Sequence, residues 1–360
     1  MAKMGQLVQS DTIIGADDRI LVTGATGFIG VRVVRSLLAL GFRNVRCFSR
    51  PSSPASKVQD LLQLGGNGNH VEMVTGNLLS RQDCKAGTEG ASVIVHLAAA
   101  RGEKSIPDAF MNSVVTTRNL MEAGAANGCL KRIVNVSSFS VYSNRNKPER
   151  RMLDENCPVD RHPELRGDAY TFVKVKQDEI LAEYAQRLGV PYVIVRPGYV
   201  FGPGNPGISG RVGIGTFGIF LHLGGSNKIP FTYVDNCADA IALAAVKQGI
   251  DGEVFNVVDD DLPTSRKFLR LYKKNVRPFR SIYIPHFMSY ALCYLWERYS
   301  EWSLGQLPST YNRWVWHGYW KKTRYSNDKL KSRLQWSPRV PMMQAMQLYF
   351  ESCRSGGPGA

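Results

Sequence analysis

The chain has 360 residues, 44% hydrophobic and 21% charged, with 45 lysines and arginines against 30 acids for a formal charge of +15. This balance excludes an intrinsically disordered chain and allows one large core, or a nucleotide-binding domain joined to a smaller partner. Seven scattered cysteines without a CxxC pair argue against a secreted disulfide scaffold and point to a reducing, cytoplasmic compartment.

Residues 1–18 lack the apolar core of a signal peptide and read as a loose tail, and no apolar run reaches the roughly 18–20 residues of a membrane span. Short apolar runs then alternate with amphipathic stretches, the pattern of βαβ units. The expected strands are RILVTG, VRCFSR, VEMVTGN, SVIVHLAA, KRIVNVSS and PYVIVRPG. The helices between them include FIGVRVVRSLLALG, VVTTRNLMEAGAANG and YTFVKVKQDEILAEYAQRLG, several ending in glycine as helix C-termini often do. The fold class expected is α/β, a Rossmann-type doubly wound parallel sheet with a smaller mixed α/β domain for substrate. Residues 19–200 would form the dinucleotide-binding domain, completed by 230–258. Residues 201–229 and 259–350 would form the second domain, and 351–360 a flexible tail. In the strand–helix unit IPFTYVDNCADAIALAAVKQG, Asp235 reads as a helix cap.

In ILVTGATGFIG, Gly24, Gly27 and Gly30 stand between a strand and a helix. Glycines there permit a tight turn and close backbone approach to a pyrophosphate, which the helix N-terminus then attracts. About twenty residues on, where a carboxylate would bind the 2′-hydroxyl of NAD, stands Arg50, which suits a 2′-phosphate and favours NADP over NAD.

RIVNVSSFSVY ends a strand with Ser137 and Ser138, and YTFVK places Tyr170 and Lys174 four apart on a helix face. A free tyrosine titrates near pH 10, and a lysine beside it would lower that value. Together with the glycine turn, these residues resemble the extended short-chain dehydrogenase/reductase family, also called the NAD-dependent epimerase/dehydratase family. HLAA, RPGYVFGPG, FTYVDNCADAI, GEVFNVVDD and YSNDKLKSRLQWSPRV extend the resemblance over roughly residues 18 to 345.

The resemblance implies that Tyr170 is the acid/base, that Lys174 holds the nicotinamide ribose, and that Ser138 hydrogen-bonds the substrate oxygen. It implies a cofactor site of Gly24, Thr26, Gly27, Phe28, Ile29 and Gly30, with Arg50 at the adenosine ribose. Asn77 and Leu78 would lie by the adenine, Asn77 replacing the family's usual aspartate. Leu97, Ala98 and Ala99 would follow, with Pro197 and Gly198 at the nicotinamide end. Ser137 reads as satisfying a backbone group, and His96 as a packed structural residue. No histidine spacing indicates a metal site.

Two substrate classes remain open. Many sugar-nucleotide members carry Arg-Asp-Phe before the strand that leads into VD; this chain reads NKIPFTYVDN, similar to the 3β-hydroxysteroid dehydrogenase-like branch. The leading expectation is therefore an oxidoreductase acting on a secondary alcohol or ketone, steroid- or lipid-like. The alternatives are a sugar-nucleotide epimerase or dehydratase and, less favoured, a non-catalytic dinucleotide-binding scaffold. From Asp261 onward there are 17 lysines and arginines against 5 acids, and five of the six tryptophans fall within residues 296–320. Those aromatics can build the second domain's core, or contact an anionic membrane surface from the cytoplasmic side, or help hold an anionic substrate. No nucleic-acid module accompanies the charge, so nucleic acid is not an expected partner. A homodimer is compatible with the chain.

Overall fold

The computed structural model describes residues 11–355 apart from 67, 100–104, 147, 149, 305 and 308–310. Seven parallel strands form the main sheet: β1 (Arg19–Thr23), β2 (Asn44–Ser49), β3 (His70–Thr75), β4 (Ala91–His96), β5 (Arg132–Val136), β6 (Tyr192–Pro197) and β7 (Val254–Val257). Their spatial order is β3-β2-β1-β4-β5-β6-β7. The order reverses between β1 and β4, so the crevice beyond their C-terminal ends is where ligands of such sheets bind. All six strands read from the sequence are present, and the doubly wound fold is the one expected.

Period-two alternation splits the strands between two cores. Ile20, Val22, Val45, Val93, Val134 and Val195 face one side, under the helices Gly30–Ala39 and Val234–Val246. Leu21, Ile94, Ile133 and Ile194 face the other, with Leu120, Met121, Leu181 and Ala185 from the helices Thr116–Ala126 and Ala169–Leu188.

Beyond residue 200, apart from the helix Val234–Val246 and β7, the chain builds a smaller region around a three-stranded sheet, Gly213–Thr216, Ile219–His222 and Ser281–Tyr283, and a separate aromatic core of Phe201, Phe231, Phe268, Tyr272, Tyr349 and Phe350. The division is less clean than the sequence suggests. Leu330, Leu334 and Trp336, from the segment assigned to the second domain, pack into the main core.

Both tails also differ from expectation. Residues 11–18 are docked: Ile13 N donates to Val246 O at 2.9 Å, Ile14 is buried, and Asp11 pairs with Lys247 at 3.1 Å. The apolar Ile13–Ile14 pair removes surface from water at the end of the helix Val234–Val246, which a polar reading of the segment overlooks. Residues 351–355 continue the helix Met342–Ser355. Residues 1–10 and 356–360 of those tails lie outside the described residues.

Candidate active site

The glycine turn follows β1 directly. Gly24 has φ +70°, and a Cβ there would lie 3.1 Å from Ala98 N, so the turn can pass this close to the end of β4 only without a side chain. At Gly30 a Cβ would lie 2.2 Å from Gly24 O and 2.8 Å from Ala25 Cα, within the turn itself. Gly27 is exposed between them and Thr26, Phe28 and Ile29 are half-buried. A cradle with no room for side chains, open to solvent, at the start of a helix suits a dinucleotide pyrophosphate. Arg32 fixes its outer wall, donating to Phe28 O at 2.9 Å and Pro203 O at 2.8 Å and pairing with Asp235 at 3.0 Å. Asp235 is therefore not a cap. Its helix starts one residue after the strand Phe231–Tyr233, and its carboxylate, in the first turn, is turned to Arg32.

The other expected cofactor residues follow the strand ends. Arg50 is exposed one residue beyond β2, neighbour to β1. Asn77 is exposed beyond β3, its Oδ1 accepting from Leu79 N at 3.0 Å. Leu78 is buried, and Asn119 Nδ2 pins this loop by donating to Leu78 O and Leu79 O, both at 3.1 Å. Leu97, Ala98 and Ala99 are half-buried past β4; Leu97 N donates to Thr23 O at 3.2 Å. Pro197 ends β6, and Gly198 N donates to Val257 O at 2.9 Å.

Ser138 starts a short 3₁₀ turn after β5, its Oγ accepting from Ser140 N at 3.2 Å. The helix Ala169–Leu188 packs on this turn. Asp168 caps the helix, accepting from Tyr170 N at 3.0 Å and Thr171 N at 3.3 Å, which fixes the first turn and with it the tyrosine. Tyr170 is 37% exposed, whereas Lys174, one turn on, is buried and donates from Nζ to Val136 O at 2.8 Å. The three expected catalytic residues thus sit on adjoining elements at one end of the sheet.

Behind Lys174 lies a buried network that was not anticipated. Asp178, four residues on, accepts from Arg196 Nε at 3.2 Å and Nη2 at 3.0 Å, from Ser137 Oγ at 2.9 Å and from Asn135 Nδ2 at 3.0 Å. Ser137 serves this carboxylate instead of a backbone group. Burial lowers the Lys174 pKa to about 8, and the Asp178 charge opposes the fall. His96 is buried with Nδ1 2.8 Å from Thr23 Oγ1 and Nε2 3.0 Å from Thr117 Oγ1. Burial, with the Lys174 charge second, pushes its pKa down to about 3, so it is a neutral brace. The signal for Asp178 was its spacing from Lys174. Nothing local marks Arg32 or Asn119, whose partners are distant in sequence.

Tyr170 also lines a cavity of about 740 Å³ with Ile106, Ala109, Ile214, Val315 and Trp320. Arg166 is the one cation among the described lining residues. Its Nε donates to Asp160 at 2.7 Å, its Nη1 to Ser140 O at 2.7 Å and its Nη2 to Tyr142 O at 2.6 Å. Each of its three nitrogens donates to the protein, and its charge is paired with the buried Asp160.

A doubly wound sheet, a glycine cradle at its switch point and a serine after one strand beside a helix that carries Tyr170 and Lys174 define a dinucleotide-dependent enzyme. Residues 20–257 match the NAD dependent epimerase/dehydratase family, and the chain belongs to that family. It is 30% identical over 191 residues to cinnamoyl-CoA reductase 1 of Oryza sativa subsp. japonica, covering 52% of this chain but only 55% of the reductase. It is 30% identical over 250 residues to sterol demethylase protein B of Methylococcus capsulatus, covering 67% of this chain and 69% of that protein. The fold matches that of UDP-glucuronic acid 4-epimerase from Bacillus cereus in complex with NAD, with a TM-score of 0.69 at 20% identity over 94% of this chain and 99% of that one.

Proposed function

We propose that this chain is an NAD(P)-dependent oxidoreductase acting on a secondary alcohol or ketone carried by an apolar, steroid- or lipid-like molecule. The observation that carries this reading is the cavity at Tyr170. It is large enough for such a molecule, its described walls are mostly apolar or glycine, and its single described cation is tied up by Asp160 and two carbonyls. A sugar diphosphate would need a cation to spare. The likeness to a sterol demethylase protein and the absence of Arg-Asp-Phe before VD agree with this choice.

The dinucleotide, when bound, supplies or accepts the hydride. Tyr170 gives its phenolic proton to the carbonyl oxygen in reduction and takes it back from the hydroxyl in oxidation. Its partial exposure allows the proton to be exchanged with water. Lys174, cationic below about pH 8, lowers the phenol pKa and holds the ribose hydroxyls. Ser138 Oγ donates to the same substrate oxygen. Arg50 meets a 2′-phosphate, which favours NADP.

The test is turnover of a panel of sterol-like ketones and alcohols with each dinucleotide. Tyr170→Phe should lower turnover by at least about 10²-fold while leaving dinucleotide affinity within about twofold. Retained turnover in that variant would refute the mechanism. A dinucleotide that stays bound and is not consumed while a nucleotide sugar is epimerised would refute the oxidoreductase reading in favour of the epimerase.

A further inference from the structure

The helix His286–Trp302 is inside out. The side chains it buries are Ser289, Cys293 and Ser300, a stripe of small residues along one face. About a third of the way round the helix Met288, Leu292, Leu295, Tyr299 and Trp302, spaced by four, three, four and three residues, stand in solvent, with Leu295 61% and Trp302 76% exposed. Phe287 at 74% and Leu304 at 92% extend this surface at its two ends. An ordinary surface helix buries its apolar stripe, and a contiguous exposed one marks an interaction site. The buried stripe is engaged: Trp316 Nε1 donates to Ser289 Oγ at 2.9 Å, and Ser300 Oγ donates to Leu307 O at 2.6 Å. The helix is held in this orientation by its small-residue face, where Cys293 also packs with Leu223, Trp316 and Trp320.

Charge and composition select the occupant. Residues 265–280, which lead through the strand Ser281–Tyr283 into this helix, contain seven basic residues and no acid. The helix Ser265–Asn275 buries Phe268, Leu269 and Tyr272 and leaves Arg266, Lys267, Arg270 and Lys274 exposed. Arg266 also lies 5.3 Å from the Tyr283 ring, whereas Arg298 and Arg313, near Tyr294, are paired with Glu301 at 3.0 Å and Glu297 at 2.9 Å, so the net positive charge comes from the segment 265–280. A second copy of this face would bring like charges together, whereas an anionic bilayer complements them. Tryptophan and tyrosine among leucine, flanked by arginine and lysine, is the composition of helices that lie in the interfacial plane. Among the described residues no helix is long and apolar enough to cross a membrane.

We propose that this face docks on an anionic lipid surface, the helix lying flat with Leu295 and Trp302 among the acyl chains and the basic segment over the headgroups. The short helix Arg313–Tyr319 joins this surface to the catalytic cavity, since Trp316 packs on the docking helix while Val315 and Tyr319 line the cavity. An apolar substrate held in the bilayer would enter from that side. The docking itself does not depend on the activity.

The experiment is co-sedimentation of the full chain with phosphatidylcholine vesicles, with and without phosphatidylserine, and tryptophan quenching by brominated lipid. Binding is expected on the phosphatidylserine vesicles, weakened by salt, with quenched fluorescence. Leu295→Ser with Trp302→Ser should lower partitioning at least about tenfold, and Arg270→Glu with Lys274→Glu likewise. All four side chains are exposed, so circular dichroism should be unchanged. Absence of binding by the wild type, or partitioning by either double variant equal to wild type, would overturn the proposal. So would a serine variant that turns a stable dimer into a monomer without altering vesicle binding, since the occupant would then be a second copy.

Discussion

Asp178→Asn separates the charge of Lys174 from its position. The substitution keeps the shape of the side chain and much of its hydrogen bonding to Ser137 and Arg196 but removes the anion that opposes the depressed Lys174 pKa. Residues four apart on a helix lie about 6 Å apart, so at an effective dielectric of about 20 the lost attraction is about 3 kcal/mol, equivalent to about two pH units. Arg196, left cationic and unpaired, pushes in the same direction. The alkaline limb of the kcat/KM profile, expected near pH 8 in the wild type because activity is lost as Lys174 deprotonates, should move acidward by about one to two pH units. Stripping Arg196 of its partner should also cost about 3–5 kcal/mol of stability, so the assay is run well below the melting transition of the variant. In the wild type the unfolded chain binds the proton of Lys174 more tightly, so its contribution to stability rises with pH between about 8 and 10.5. A wild-type profile flat through pH 8, or a limb that Asp178→Asn leaves in place, would refute this account of Lys174.

Arg50→Asp should reverse the dinucleotide preference, lowering the NADP-to-NAD ratio of kcat/KM at least about tenfold, since a carboxylate accepts from a 2′-hydroxyl and repels a 2′-phosphate; an unchanged ratio would remove Arg50 from the ribose site. Gly30→Ala tests the cradle. Alanine is the better helix former by about 1 kcal/mol, yet its Cβ would stand 2.2 Å from Gly24 O, so the turn must open. Dinucleotide affinity measured by fluorescence titration should fall at least about tenfold, and a variant that gains stability and binds normally would show that the turn is not so constrained.

Much of this protein was legible without coordinates. The strands and their parallel sheet follow from the alternation of apolar runs with amphipathic stretches, because buried parallel strands need runs such as ILV, VIV and IVNV whatever surrounds them. The turn at Gly24 and Gly30 was readable because no other residue fits, and Tyr170 and Lys174 because one helical turn sets their relation. Contacts between distant segments were not readable. The sequence marks Asp235 as a polar helix start but cannot show Arg32, some two hundred residues earlier, turning toward it. It shows Arg166 but not that Asp160 pairs with its charge while Ser140 and Tyr142 accept from its nitrogens, the fact on which the substrate reading rests.

The aromatic C-terminal region shows the limit most plainly. Its sequence contains an apolar stripe at helical spacing, and one-dimensional pattern alone assigns such a stripe to the core. Trp316 and Trp320 do enter the core, beside Leu223 and Cys293. The stripe of the preceding helix does not: Ser289 accepts from Trp316 and Cys293 packs with Leu223, Trp316 and Trp320 on the protein side, while Leu295 and Trp302 stand outward. Periodicity determines that a helix has two faces. Which face is buried depends on partners that only the folded chain brings together.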